Sequence, residues 1–221
     1  MLKRVSETSE QRYVPAAGRA AFTRLYDPVV AVTMRERRFR ALLLQQVLVD
    51  RPQRIVDVGC GTGTFAIALA DAPGARQVTG VDGDPEVLAA AGSKPGAGSV
   101  AWRGALADAL PLPDGAVDAV TMSLLLHHLN PAGKQRVLHE AVRVLRPGGV
   151  LHVADWGKPT DPLMRAAFFG LQLLDGFDNT RDHAAGRLHG LIEEAGFREL
   201  TCTATLRTAW GSLELLRAAR S

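Results

Sequence analysis

The sequence predicts an α/β domain built on a parallel sheet, and three observations carry that expectation. Ile55 to Val58 is a short, β-branched apolar run interrupted only by Asp57. Strands buried in a parallel sheet read as near-continuous runs of this kind. Glycines follow at 59, 61 and 63, and from Thr64 the residues Phe65, Ile67, Ala68 and Leu69 fall at helical spacing as far as Pro73-Gly74. A second apolar strand, Val78 to Val81, then ends in Asp82, so that strand, helix and strand alternate.

The glycine loop is the element around which the chain is organised. A strand, a glycine turn and a helix N-terminus together present backbone N–H groups to a nucleotide. Glycine lets the backbone turn sharply and lets a ligand approach it. Asp82 lies about 20 positions after the loop, the interval of an acid that binds ribose hydroxyls. A dinucleotide site would need a third glycine at Ala66, counted from Gly61, or at Thr64, counted from Gly59. The spacing therefore disfavours a nicotinamide-dependent oxidoreductase. Asp57 at the loop entry would repel a pyrophosphate and favour a cationic ligand.

The chain has 221 residues and 47% hydrophobic content, enough for one α/β domain with a full core. Its net charge of +3 is no argument for nucleic acid. Arg35, Arg37, Arg38 and Arg40 cluster on an expected helix, where they read as a solvated face. The two cysteines, Cys60 and Cys202, fall in unrelated elements, as in a reduced, cytoplasmic protein. Met1 to Gln11 has no hydrophobic signal core, and no run of about 18 uncharged apolar residues predicts a membrane span.

Taken in order, residues 1 to about 15 are expected as a loosely docked arm. Ala16 to Asp50 reads as helix in two pieces, broken near Asp27-Pro28. One apolar stripe is Phe22, Leu25, Tyr26, Val29 and Val30, and the other is Phe39, Leu42, Leu43, Gln46 and Val47. After the second strand, Asp84-Pro85 caps a helix to about Ala91, and Val100 to Arg103 is a short third strand. Pro113-Asp114-Gly115 is a turn, and Val117 to Met122 is the fourth strand. Ser123 to Leu129 lies at that strand's carboxyl end, where open α/β sheets bind ligands. Its neighbours His127 and His128 must diverge, one toward the pocket and one into the structure. No carboxylate or cysteine stands at ligand spacing from them, so no metal is expected. Asn130-Pro131 caps a helix to about Leu145, with Val137, Leu138, Ala141, Val142 and Leu145 on one face. Arg146-Pro-Gly-Gly149 stops it, and Val150 to Ala154 is the fifth strand, ending in Asp155-Trp156. Leu163, Ala167, Gly170, Leu171 and Leu174 mark one further helix, and residues 186–195 a second, closed by Gly196. Phe168 and Phe169 read equally as core or as pocket lining. Leu200 to Leu206 is the sixth strand, and Trp210 to Ala218 the seventh, antiparallel at the edge.

Val56-Asp-Val-Gly-Cys-Gly-Thr-Gly63 resembles the first motif of class I S-adenosylmethionine-dependent methyltransferases, and Leu145-Arg-Pro-Gly-Gly-Val-Leu151 resembles that family too. Residues 52 to 155 carry the resemblance, which points to the branch of ubiquinone and menaquinone biosynthesis enzymes. It implies a Rossmann-like, seven-stranded, mostly parallel sheet with an antiparallel last strand and helices on both faces. It implies S-adenosylmethionine as cofactor, whose positive sulfonium and amino group suit Asp57. The cofactor-binding set it implies is Asp57, Gly59, Cys60, Gly61, Gly63, Asp82, Gly83, Leu106, Ala107 and Ser123, with Tyr26 of the Tyr26-Asp27 pair reaching in from the N-terminal region. Ala107-Asp-Ala-Leu-Pro-Leu112 resembles the adenine-side motif but lacks its acid at Leu106. Either Asp108 or the backbone at Leu106 and Ala107 would read the adenine.

The expected organisation is a helical cap over 1–50, a cofactor core over 51–157, a substrate-cap insertion over 158–196 and closing strands over 197–221. The expected reaction is in-line methyl transfer to a small, partly apolar acceptor under a lid of residues 16–45 and 158–190. Phe22, Tyr26, Met34, Met164, Phe168 and Phe169 would line that lid. A general base is needed only if the nucleophile keeps its proton. His128 is the first choice among His128, His127, Asp155, His183 and His189. A nucleic-acid methyltransferase is the main alternative, disfavoured because Asn130-Pro131 comes too late after the fourth strand. A non-catalytic cofactor binder remains the other.

Overall fold

The computed structural model describes residues 35–74 and 76–221. Phe22, Leu25, Tyr26, Asp27, Val29, Val30 and Met34 lie outside them, so the first helical piece, the Tyr26 contact and half of the expected lid do too.

The elements alternate as the pattern predicts: α1 (Glu36–Val49), β1 (Arg54–Val58), α2 (Thr64–Asp71), β2 (Gln77–Asp82), α3 (Pro85–Gly92), β3 (Val100–Gly104), β4 (Val117–Ser123), α4 (Pro131–Val144) and β5 (Leu145–Trp156). Then come α5 (Pro162–Asp175), α6 (Phe177–Ala185), α7 (Leu188–Glu194), β6 (Phe197–Thr208) and β7 (Gly211–Arg220). The seven strands form one sheet in the order β3-β2-β1-β4-β5-β7-β6. β1 pairs in parallel with β2 and β4, β2 with β3 and β4 with β5, while β7 runs antiparallel to both β5 and β6.

Side chains alternate across the sheet, which divides the core in two. Val56, Val58, Val120 and Met122 meet α4 and α7 on one face. Ile55, Ala119, Ala154 and Trp156 meet α1, α2 and α5 on the other. The caps follow local chemistry. Asp84 accepts from the N–H groups of Glu86 and Val87, Asn130 from Gly133 and Asp161 from Met164, each before a proline in the first turn.

Four expectations need correction. The seventh strand is antiparallel as expected, but it lies between β5 and β6 and not at the edge. Its apolar residues explain this: Leu213, Leu215, Leu216 and Ala218 are all at most 1% exposed. They need cover from both sides, whereas β6 presents Arg198, Glu199, Thr201 and Thr205 to water and tolerates the edge. Arg146 to Gly149 does not separate helix from strand; α4 ends at Val144 and the next residue already pairs with Val117. The four residues then bulge out before Val150 pairs with Ala119. The segment after β5 holds three helices and not two, because Gly176, with φ +89, breaks the chain between α5 and α6. Finally, α1 is not a lid over its described length: Phe39, Leu43 and Val47 are fully buried in the second core cluster. Its arginines behave as predicted, with Arg35, Arg37 and Arg38 exposed and Arg40 paired to Glu36 at 2.6 Å.

Candidate active site

The glycine loop joins β1 to α2 with Gly59, Gly61 and Gly63 at φ +66, +54 and +74. The N–H groups of Gly59 and Cys60 both donate to the Val81 carbonyl, at 2.9 and 3.0 Å, which ties the loop to β2. Gly63 is the N-cap of α2, and no side chain caps it, so the first-turn N–H groups keep their capacity for a ligand. A side chain at Gly63 would collide with the Trp102 ring at 2.3 Å, whereas one at Gly61 would meet nothing within 4 Å. Gly61 is thus the open face of the cradle.

Asp82, at the end of β2, takes the Gly61 N–H on Oδ2 at 2.9 Å and the Asp84 N–H on Oδ1 at 3.0 Å. Each oxygen keeps a lone pair, so the carboxylate can both fix the loop and accept from two ribose hydroxyls. Gly83 beside it is exposed.

Asp57 sits beneath the loop and not in its mouth. It is 1% exposed; Oδ1 accepts from the Thr121 hydroxyl at 2.6 Å, and Oδ2 has no partner. Burial pushes its pKa up to about 7, against the Thr121 bond and the charge of Arg40. An orphaned buried carboxylate under a cradle of N–H groups fits a ligand that is cationic on one side and hydroxylated on the other. A ligand of the S-adenosylmethionine kind meets both requirements. Cys60 is nearly buried, and burial with the neighbouring acids lifts its thiol far above the usual range.

On the adenine side, Asp108 is engaged by Arg136 at 2.9 Å, while Leu106 is exposed and Ala107 half-buried in the adjoining loop. The pairing of Asp108 favours the backbone at Leu106 and Ala107 for that role, although the Leu106 carbonyl already accepts from the Ala109 N–H at 3.1 Å.

The carboxyl ends of β4 and β5 form the other half. Ser123 closes β4, half-buried, and Leu124 follows in the left-handed region at φ +54. Such strain in a branched residue collects at functional sites. Leu125 lies over the cofactor loop, since a Cβ on Gly59 would come within 2.8 Å of its Cδ1. A 3₁₀ turn, Leu126–His128, brings two imidazoles to this point. Asp155, fully buried, accepts from the Leu126 N–H on Oδ2 and from His127 Nδ1 on Oδ1, both at 2.8 Å. Burial works against its charge, but His127 beside it holds the carboxyl well below the usual range. His127 is the buried histidine, 4% exposed, and the His128 side chain is one-third exposed, but the two rings do not diverge as expected: the 3₁₀ turn sets their centroids 4.0 Å apart and turns both toward Asp175. Burial, with His127 alongside, pushes His128 down to about 3.

The structure adds Asp175 and Lys134, which sequence reasoning missed, and places the base candidates His183 and His189. Asp175, at the end of α5, places one oxygen 3.8 Å from His127 Nε2 and the other 3.7 Å from His128 Nδ1. His183 is fully buried, with Nδ1 on the Trp156 carbonyl at 2.6 Å. Lys134, also fully buried, reaches the Asn179 carbonyl and stands 3.4 Å from Asp182, tying α4 to α6. His189 pairs with Glu214 at 2.8 Å and takes no part in this cluster. Of the two cap phenylalanines, Phe168 is core, edge-on to Trp156, and Phe169 is half-exposed against Phe177. Met164 is buried as well.

Comparison with known proteins agrees with this geometry. Residues 55–149 match the family described as "Methyltransferase domain". An uncharacterized methyltransferase of Synechocystis is 32% identical over 193 residues, covering 83% of this chain and 83% of that relative. A ubiquinone/menaquinone biosynthesis C-methyltransferase of Syntrophotalea carbinolica is 30% identical, over 75% of this chain and 77% of its own length. A demethylmenaquinone methyltransferase of Thermus thermophilus is 42% identical, but over only 55% of this chain and 56% of that protein. Among solved structures, a methyltransferase of Thermotoga maritima superposes with a TM-score of 0.69, covering 91% of this chain and 97% of that one at 24% identity.

Proposed function

The chain belongs to the class I S-adenosylmethionine-dependent methyltransferases, and from that premise we propose that it methylates a small, partly apolar acceptor through an oxygen, nitrogen or carbon nucleophile. The observation that supports this reading best is the junction at Leu125, where the cofactor loop abuts a half-buried floor of imidazoles and a carboxylate. Two relatives named for quinone biosynthesis favour an aromatic acceptor bearing hydroxyl or activated carbon.

The bound cofactor supplies a methyl group already activated by a positive sulfur. The chain's residues then have to align acceptor, methyl and sulfur, an effect that supplies roughly 7–11 kcal/mol in favourable cases. Gly59, Cys60, Gly61 and Gly63 shape the loop, with Asp57 beneath it as counter-charge. Asp82, with Gly83 beside it, takes the ribose, the backbone at Leu106 and Ala107 takes the adenine, and Ser123 borders the methionine end. Tyr26, outside the described residues, is the candidate for the cofactor's open side by resemblance alone. With its pKa near 3, His128 is a weak general base at neutral pH. An acceptor hydroxyl would therefore lose its proton by another route.

α5 and α6 form the acceptor cap in this reading. Leu163, Phe169, Leu173, Leu174 and Phe177 present exposed apolar surface there. Free cysteines suit a reducing, cytoplasmic setting, and no helix among the described residues is long and apolar enough to cross a membrane. The test is S-adenosylhomocysteine release measured over a panel of phenols, hydroxyquinones, amines and an oligonucleotide. Turnover with a phenol or quinone is the expected result. Turnover with the oligonucleotide alone, or with none of them despite tight cofactor binding, overturns it.

A further inference from the structure

We propose that His127, His128 and Asp175 form a binding site for a divalent transition ion of the zinc class, between the cofactor loop and the cap. The three residues come from two elements far apart in the chain, the 3₁₀ turn after β4 and the last residue of α5. One ligand atom from each lies within 4.8 Å of the other two. Small side-chain rotations close such a triangle to metal–ligand bonds of about 2.0–2.2 Å.

Hydrogen-bonding logic points to a cation at this place. With the ring neutral, His127 Nδ1 donates to the Asp155 carboxylate at 2.8 Å and Nε2 carries the lone pair. That lone pair faces Asp175 Oδ2, another acceptor, at 3.8 Å, and the second Asp175 oxygen faces His128 Nδ1 at 3.7 Å. Neither separation is a hydrogen bond. Two acceptors turned toward each other in a half-buried place repel unless something positive stands between them. Asp155 has the position of the outer carboxylate that holds a metal-binding histidine in its orientation. Two imidazoles and one carboxylate with an open position suit zinc, cobalt or ferrous iron better than magnesium or calcium, which prefer oxygen ligands.

The exposed third of His128 marks the open side of the site. A hydroxyl that took the open position would release its proton to solvent and bind as an oxyanion, ready to attack the methyl carbon as the carbon–sulfur bond breaks. That consequence rests on the proposed methyl transfer; ion binding itself does not.

The test uses full-length protein freed of metal by a chelator and titrated with cobalt(II), read by visible absorption and by competition with zinc. One saturable equivalent per chain is expected. His128→Gln and Asp175→Asn should each weaken it at least about tenfold. Calorimetry with S-adenosylhomocysteine on the same samples reports whether the cofactor fold survives. If Asp175→Asn does not fold, His128→Gln, at a partly exposed position, decides alone. Absence of saturable cobalt binding in the wild type, or equal affinity in the folded variants, overturns the site. Cobalt binding that persists where cofactor binding is absent keeps the site and removes the methyl-transfer reading instead.

Discussion

Asp57→Asn tests the buried charge beneath the cofactor loop. The carboxyl is 1% exposed, with one oxygen on Thr121 and the other unpartnered. Burial lifts its pKa from 3.8 to about 7. The folded chain therefore holds a proton between those values that the unfolded chain releases, and stability falls as pH rises through that window. At about 1.4 kcal/mol per unit, the buried carboxylate costs about 4 kcal/mol once the pH exceeds 7. Asparagine keeps the oxygen that Thr121 needs but leaves an amide N–H without a partner, at about 1–3 kcal/mol. The wild type already bears about 1.6 kcal/mol of its penalty at pH 5, so the variant should be close to it in stability there and more stable by about 1–3 kcal/mol at pH 8. Urea denaturation of the ligand-free protein at the two pH values measures both. A difference of the same sign and size at pH 5 and pH 8 would refute the raised pKa. The same reasoning gives a binding signature: a cationic ligand draws the proton off Asp57, so affinity for S-adenosylmethionine should rise between pH 6 and pH 8 in the wild type and stay flat in the variant.

Other outcomes follow from single contacts. Asp82→Ala should weaken S-adenosylhomocysteine binding by about 1.5–3 kcal/mol, the range for hydrogen bonds to a charged group, since it also releases the Gly61 and Asp84 N–H groups; calorimetry showing unchanged affinity in a folded variant would remove the ribose assignment. Gly63→Ala forces a methyl group to 2.3 Å from Trp102 at φ +74, and should cost about 2–4 kcal/mol from overpacking and backbone strain together. Gly61→Ala, with open space around it, should cost only about 1 kcal/mol; equal melting shifts would contradict the packing account. Lys134→Ala leaves Asp182 buried beside only the distant Arg187, 3.8 Å away, and should destabilise by about 3–5 kcal/mol. Hydrogen exchange should then show α6 opening before the central strands.

The cofactor half of the site was legible because its chemistry needs a local pattern. Positive φ at 59, 61 and 63 requires glycine, and the interval to Asp82 is set by one strand–helix–strand unit, so both appear in the chain order itself. The exact place of Asp57 was not legible. Alternation puts it on the same sheet face as Thr121 and Ala119, one layer below the loop, and only the register of β1 against β4 shows that. The place of β7 was within reach of the sequence: an apolar Leu213-Glu-Leu-Leu216 beside a threonine-rich β6 already argues which of the two strands must be enclosed.

The acceptor half was not legible, for a reason of geometry. Its groups are His127 and His128 after β4, Asp155 at the end of β5 and Asp175 at the end of α5. A search for ligands at short spacing fails there, because the parallel pairing of β4 with β5 and the packing of α5 bring them together. What the sequence does carry is an oddity: two adjacent histidines at a strand's carboxyl end, one of which must turn inward. An inward imidazole needs a partner for each ring nitrogen, and Asp155 supplies only one. The second nitrogen is what makes Asp175 informative, since its carboxylate stands just beyond hydrogen-bond reach of both imidazoles, where a positive charge between them would be stabilised.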